Sequence, residues 1–301
     1  MSYIRNIEDL FKMAASRPMS VVSVAVCADL HVLEACVAAY EKKIANFILV
    51  GNADKTREIA VEHNIDISAF EIINELDNNI ACQKAVELVK SGRASAIMKG
   101  LIDTPVIMRA VLNRENGIRT GRKLSHMAAF ELAHYHKLLF ITDAAINIAP
   151  NTEDRKQIIQ NAVIALNNLG LQTPKVALLA ANEKADEKMP VTLECAELVK
   201  MHQEGDFGEC DMVMDGPLAL DNAVSKESCQ IKGINSPIGG DADLLIAPDI
   251  EAGNILYKAL AFLAGARNGG VVLGALRPVI LTSRADSADS KLISIALSVL
   301  F

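Results

Sequence analysis

Residues 281–290 read Leu-Thr-Ser-Arg-Ala-Asp-Ser-Ala-Asp-Ser and follow a clear strand pattern. They place a hydroxyl (Ser283), a guanidinium (Arg284) and two carboxylates (Asp286 and Asp289) in one short turn before an amphipathic terminal segment. A guanidinium grips an oxyanion through two parallel N–H bonds, and a carboxylate takes a proton, so the set suits anion binding beside a general base. The aspartates alone also suit a plain helix start, with Asp286 as N-cap and Asp289 on the helix dipole. That reading leaves Ser283 and Arg284 without a task.

Two further cationic segments extend the pattern. Lys99-Gly100-Leu101-Ile102-Asp103-Thr104 follows a strand and leads into a helical pattern carrying Arg109. Turns at the carboxyl ends of parallel strands are where α/β proteins bind ligands, and the N–H groups opening the next helix favour anions. Lys99, Gly100, Thr104 and Arg109 are therefore candidate contacts, although a plain βα turn capped by Asp103 or Thr104 accounts for the same residues. Residues 119–126, RTGRKLSH, gather cations and hydroxyls around a glycine, with Arg122 and Ser125 as candidates and solvated surface charge as the other reading. Two Asx-rich segments, 143–151 with Asn147 and 247–254 with Asn254, also follow strand patterns, and repeated use of strand ends implies a ligand lying along a cleft.

Familiar alternatives fail on inspection. No G-x-x-x-x-G-K-[ST] is present. The glycine-rich run GARNGGVVLG (265–274) precedes a strand instead of following one, and reads as a helix C-cap and tight turn. His134 and His136 lack the partners a metal site needs, so no metal is expected. No G-x-S-x-G elbow supports a hydrolase.

The elements that must carry these segments alternate as βαβ units. Strands are expected at 21–27, 46–50, 94–98, 138–142, 175–180, 211–214, 244–247, 271–273 and 279–281. Helices are expected at 104–111, 153–169, 190–201 and 252–264, with another from about 287. Nine strands argue for two α/β domains built on parallel sheets, the first comprising residues 1–125 plus about 280–301 and the second 126–279. The 301 residues are 51% hydrophobic but only 4% aromatic, without Trp, so the cores are aliphatic. A net charge of -7 argues against nucleic acid. The six cysteines form no CxxC pair and read as buried thiols. The first residues read as an amphipathic helix, not a signal peptide, and no apolar run is long enough for a membrane span, so a cytoplasmic protein is expected.

Five segments in one order carry a resemblance: MKGLIDTPVIMRAVLN (98–113), GIRTGRKLSH (117–126), TDAAINIAPN (142–151), APDIEAGNILYK (247–258) and RPVILTSRADSADSKL (277–292). Through them nearly the whole chain resembles the phosphate acetyltransferase and butyryltransferase family, most closely its butyryl branch. The resemblance implies reversible transfer of a butanoyl group between CoA and inorganic phosphate. Both would be substrates, with no bound cofactor. It implies a fold like that of isocitrate and isopropylmalate dehydrogenases, two α/β domains around a cleft, in a homodimer or larger homo-oligomer. Ser283 and Arg284 match the family's Ser-Arg pair, and Arg109 matches an arginine on the phosphate or CoA side. In the acetyl branch an acidic base follows that pair at the position held here by Ser290, so Asp286 or Asp289 is expected to take its place. Such a transfer needs cations to neutralise phosphate and a base for the thiol proton, with direct attack in a ternary complex. The first rival is transfer of an acetyl group within the same family; the others are a metal- and NAD-dependent dehydrogenase of the same fold and a CoA-binding relative without catalysis.

Overall fold

The computed structural model describes residues 4–283 and 286–301. The chain groups into two compact units, one formed by Ile7–Arg122 and Asn268–Phe301, the other by Lys123–Arg267 with residues 4–6. The first crossing lies beside residue 125. The second lies at 267 and not near 280, because the strand ending at Leu273 pairs with the one beginning at Val279.

In chain order the first unit builds α1 (Ile7–Ser16), β1 (Ser20–Ala25), α2 (Leu30–Glu41), β2 (Ala45–Gly51), α3 (Ala53–Glu62), β3 (Glu71–Asn74), α4 (Asn78–Lys90), β4 (Ala96–Lys99) and α5 (Thr104–Val111). The second unit adds β5 (Ser125–Glu131), β6 (Leu139–Thr142), α6 (Thr152–Asn168), β7 (Lys175–Leu179), α7 (Pro190–Gln203), β8 (Val213–Leu218), α8 (Leu220–Val224), α9 (Lys226–Lys232), β9 (Leu244–Ile246) and α10 (Ile250–Lys258), which runs into a π turn, Ala259–Leu263. The chain then returns to the first unit as β10 (Arg267–Leu273), β11 (Val279–Ile280) and α11 (Ala288–Leu300). All nine expected strands have counterparts. β3 and β5 are additions, and the expected helix 252–264 becomes α10 plus the π turn.

The sheet of the first unit runs β3-β2-β1-β4-β11-β10, parallel except for the β10–β11 pair. Helices cover both faces, so β1 buries Val22, Ser23, Val24 and Ala25 in succession, as a parallel strand covered on two sides must. Buried Ser23 answers its own polar cost by donating to the Ala85 carbonyl at 2.9 Å. The glycine run corrects its expected role as a turn. Gly265 does take a left-handed conformation (φ +61°), but Gly269 and Gly270 lie within β10. A Cβ on Gly269 would stand 2.6 Å from Ile293 Cγ2, so glycine there lets α11 lie close against the strand.

The sheet of the second unit runs β5-β6-β9-β7-β8 and is parallel but for the β5–β6 hairpin. Its core joins Phe130, Ile141, Ala177, Leu218, Ile238 and Leu245. An ionic network sits at the amino ends of these strands. Lys137 meets Asp243 at 2.6 Å and Asp241 at 3.1 Å, Lys175 meets Asp241 at 2.7 Å, and His136 bonds Asp241 at 2.8 Å. Burial would raise the Asp241 carboxyl, but hydrogen bonds and charge from Lys175 and Lys137 outweigh it and hold the group well below the usual carboxylate range. A carboxyl depressed on folding stabilises the protein above its unfolded pKa, near 3.9, and loses that contribution as the pH falls. Asp241→Asn is thus expected to cost about 2 kcal/mol at pH 7 in urea denaturation. The gap to the natural protein should close as the pH falls below about 4.

Candidate active site

In the first unit, β1, β4 and β11 are parallel neighbours whose carboxyl ends are level. Ala25 stands opposite Lys99, and Met98 opposite both Val24 and Ile280. Residues 26–29, 99–104 and 281–283 therefore follow neighbouring strand ends, the arrangement in which open α/β sheets bind ligands.

Gly100 is fixed by that closeness. Its N–H donates to the Ala25 carbonyl at 2.8 Å, and a Cβ would lie 2.2 Å from the Val26 oxygen. Lys99 is buried, with its Nζ donating to the carbonyls of Ile102 at 3.2 Å and Gly100 at 3.4 Å, so it shapes the turn from within. Asp103 occupies the N-cap position without a side-chain capping bond, while Pro105 pre-sets the first turn of α5. Thr104 and Arg109 are exposed on that helix. Arg109 borders a polar groove of about 610 Å³ between α4 and α5, with Gln83, Glu87, Lys90, Asn113 and Asn116 on its walls. Arg122 is exposed beside Gly121, which adopts φ +85°.

The 281–290 segment divides into a turn and a helix start. Ser283 is exposed, and its N–H donates to Asp286 Oδ2 at 2.6 Å while the Asp286 N–H returns to the Ser283 carbonyl at 3.2 Å. The N-cap of α11 is Ser287, accepting from the Ser290 N–H at 3.1 Å, which corrects the reading of Asp286 as the cap. Asp289 lies half-buried in the first helical turn. Arg284 lies outside the described residues.

The second unit levels two strand ends as well, Thr142 opposite Ile246. Here the candidates build the scaffold. Buried Asp143 accepts from the N–H groups of Ala145 (2.8 Å) and Ile146 (3.1 Å) on one oxygen and from Asn147 N (3.2 Å) and Nδ2 (2.6 Å) on the other. Asn147 Nδ2 also donates to the Leu124 carbonyl at 2.7 Å, so its amide nitrogen ties this loop to the start of the unit. Ser125, the first residue of β5, is fully enclosed, and its Oγ accepts from Asn161 at 3.1 Å. Asn254 is exposed, and donates to the Ala144 carbonyl at 3.0 Å. Gly253 admits that loop, since a Cβ would stand 2.2 Å from the Asp143 oxygen.

Two contributors escape a reading of loops alone, because both are lysine or arginine inside helices. Arg155 on α6 is buried, holding the Pro248 carbonyl at 2.6 Å and Glu194 at 2.9 Å. Lys291 on α11 holds the Asp286 carbonyl at 2.6 Å. Their signal is a cation in an otherwise apolar helical stripe.

Comparison with known proteins now bears on these segments. The family described as phosphate acetyl/butaryl transferase matches residues 6–82 and 77–299. Phosphate butyryltransferase from Clostridium acetobutylicum is 43% identical over 297 residues, covering 99% of this chain and 98% of its own. The chain belongs to the phosphate acetyl/butaryl transferase family. Within the phosphate acetyl/butaryl transferases of known structure, a branched-chain phosphotransacylase from Enterococcus faecalis V583 superimposes with a TM-score of 0.84 at 33% identity, over 94% of this chain and 98% of that one. The expected dehydrogenase-like architecture is met by 4-hydroxythreonine-4-phosphate dehydrogenase from Klebsiella pneumoniae, which at 14% identity and a TM-score of 0.58 over 94% and 98% of the chains shares the fold alone.

For an acyltransferase family the state of the thiols matters. Burial raises the pKa of Cys27 and Cys36, and pushes Cys82 and Cys195 up to about 11, so these four are poor nucleophiles. Among the described residues no group of three or more His, Cys, Asp or Glu side chains is placed to hold a metal, and His136 is paired with Asp241. Because Gly100 separates two strand ends, Gly100→Ala is expected to cost about 2 kcal/mol in urea denaturation and to depress activity in the folded fraction.

Proposed function

We propose that this protein catalyses reversible transfer of a butanoyl group between CoA and inorganic phosphate. The observation that carries the reading is the level ending of β4 and β11, Ile280 opposite Met98, with Ser283 shortly after the one strand and the 99–104 turn at the end of the other. The near full-length likeness to a phosphate butyryltransferase supports it. CoA and phosphate act as substrates, with no resident cofactor.

In the forward direction an oxygen of hydrogen phosphate attacks the thioester carbonyl and gives its proton to the base, the C–S bond breaks, and the CoA sulfur leaves as the thiol, taking that proton back from the base. In reverse the thiol gives that proton to a base. Arg284 and Arg109 neutralise the phosphate and pyrophosphate oxygens, for which planar guanidinium groups are suited. Ser283 donates to the developing oxyanion. Asp286 and Asp289 are the two candidate bases. One Asp286 oxygen is already spent on the Ser283 N–H, so replacing Asp286 disturbs the turn as well as any proton transfer. Raised thiol pKa values favour direct attack within a ternary complex over an acyl-cysteine.

Thiol release from butanoyl-CoA is expected to require phosphate and to proceed without added metal or NAD, faster than with acetyl-CoA. Release without phosphate, or none with any acyl-CoA, would exclude the reading. Arg284→Ala is expected to lower kcat/KM for phosphate by about 100-fold or more in the same assay.

The reading extends to assembly and compartment. No described helix is long and apolar enough to cross a membrane, and the protein is assigned to the cytoplasm. A homodimer is supported by the apolar side chains of Ile255, Phe262 and Leu263, 69%, 63% and 88% exposed, next to an apolar cavity of about 560 Å³ bordered by Leu220, Ile255 and Ala259. Light scattering is expected to give the mass of two chains or more, and Leu263→Asp the mass of one. An unchanged mass in the variant would remove this face from the interface.

A further inference from the structure

Lys291 stands where a lysine is opposed twice. It lies in the first turn of α11, whose residues 291–298 are all buried, and is itself 3% exposed. Burial strips water from the ammonium, and a helix amino end carries partial positive charge. Its two hydrogen bonds go to backbone carbonyls, Asp286 O at 2.6 Å and Ser283 O at 3.5 Å. Those carbonyls belong to the two ends of the turn that Asp286 closes through the Ser283 N–H. The turn is thus tied from its donor side by a carboxylate and from its acceptor side by an ammonium. The charges that bear on Lys291 are Asp286 in this turn and Asp29 at the N-cap of α2.

We propose that Lys291 is a positioning residue of the acyl-transfer site, its ammonium holding the carbonyls of Ser283 and Asp286 and so fixing where Ser283 stands. The inference rests on the function proposed above. A lysine serving the fold alone would lose little by becoming a methionine, which fills the same space without a desolvated charge. A lysine that holds a reacting group in place would lose turnover, since small displacements of such a group are costly. Desolvation lowers the pKa of Lys291, with Asp286 and Asp29 partly offsetting it, so its proton leaves at a lower pH than from a surface lysine. Turnover should therefore decline on the alkaline side as that charge disappears.

The test compares the natural protein with Lys291→Met and Lys291→Arg, using phosphate-dependent thiol release from butanoyl-CoA and urea denaturation. Lys291→Met is expected to lower kcat by about 30-fold or more, with KM for butanoyl-CoA within about 3-fold and an undiminished urea midpoint. Its kcat should also lack the alkaline decline. Lys291→Arg is expected to recover at least about 10-fold of the lost turnover and to move the decline to higher pH. Natural kcat and pH profile in Lys291→Met, or a lowered midpoint with kcat of the folded fraction intact, would overturn the inference. If Lys291→Met does not fold, Lys291→Arg decides, and an unmoved alkaline decline overturns it. A natural protein without phosphate-dependent release would instead sink the proposed function, and this inference with it.

Discussion

The pairing of β11 with β4 is the constraint on which the first unit depends. Val279 lies opposite Ile97 and Ile280 opposite Met98, and only two residues of β11 make the ladder. That short contact determines where residues 281–283 leave the sheet, and so where Ser283 stands relative to the turn after Lys99. A slip of one position would exchange the faces of every side chain in the strand. The register is instead protected by what lies on it. α11 is buried on all sides and packs on β10 at Gly269, where the absence of a side chain permits the approach. Core packing of a terminal helix and placement of Ser283 are one problem here.

Each unit solves the same local difficulty in its own way. A strand that ends inside a protein exposes backbone groups that the next helix cannot yet satisfy. Asp29, Asn151 and Asp249 answer it by capping α2, α6 and α10. Asp143 goes further and gathers three N–H groups and an amide on its two oxygens. Lys99, Arg155 and Lys291 do the converse and collect carbonyls. Much of the polar chemistry near the strand ends is therefore spent on the protein itself.

This division explains what could be read from the residues and what could not. Strands rich in Val and Ile announced themselves, as did α5 with Pro105 in its first turn. β3, with the sequence EIIN, is a short edge strand with polar ends and carries too little pattern to recognise. β5 was hidden because Ser125 and His126 look like surface chemistry, yet both are buried. The hydrogen bonds of Ser125 and Asn147 within the second unit were equally hidden, since residue type does not reveal which hydrogen bonds are already taken. Ser283, Thr104 and Arg109 are exposed. Lys291 sat inside a segment that was already recognised, but its task depends on carbonyls five and eight positions earlier, which only the folded turn brings into reach.

The interrupted course of the chain also orders its birth. The unit from Lys123 to Arg267 is continuous apart from residues 4–6, so its five sheet strands have all left the ribosome before β11 is made. The unit that begins first must wait with β4 unpaired on one side until Val279 arrives, a contact between residues far apart in sequence and slow to form for that reason. The apolar edge of β4 is then a hazard of synthesis, open to stray strand pairing for as long as it takes to translate the intervening unit. Ser283 and α11 belong to the last segment to dock, so a chain that stalls before its final helix acquires a folded second unit and a first unit without its closing strand and helix.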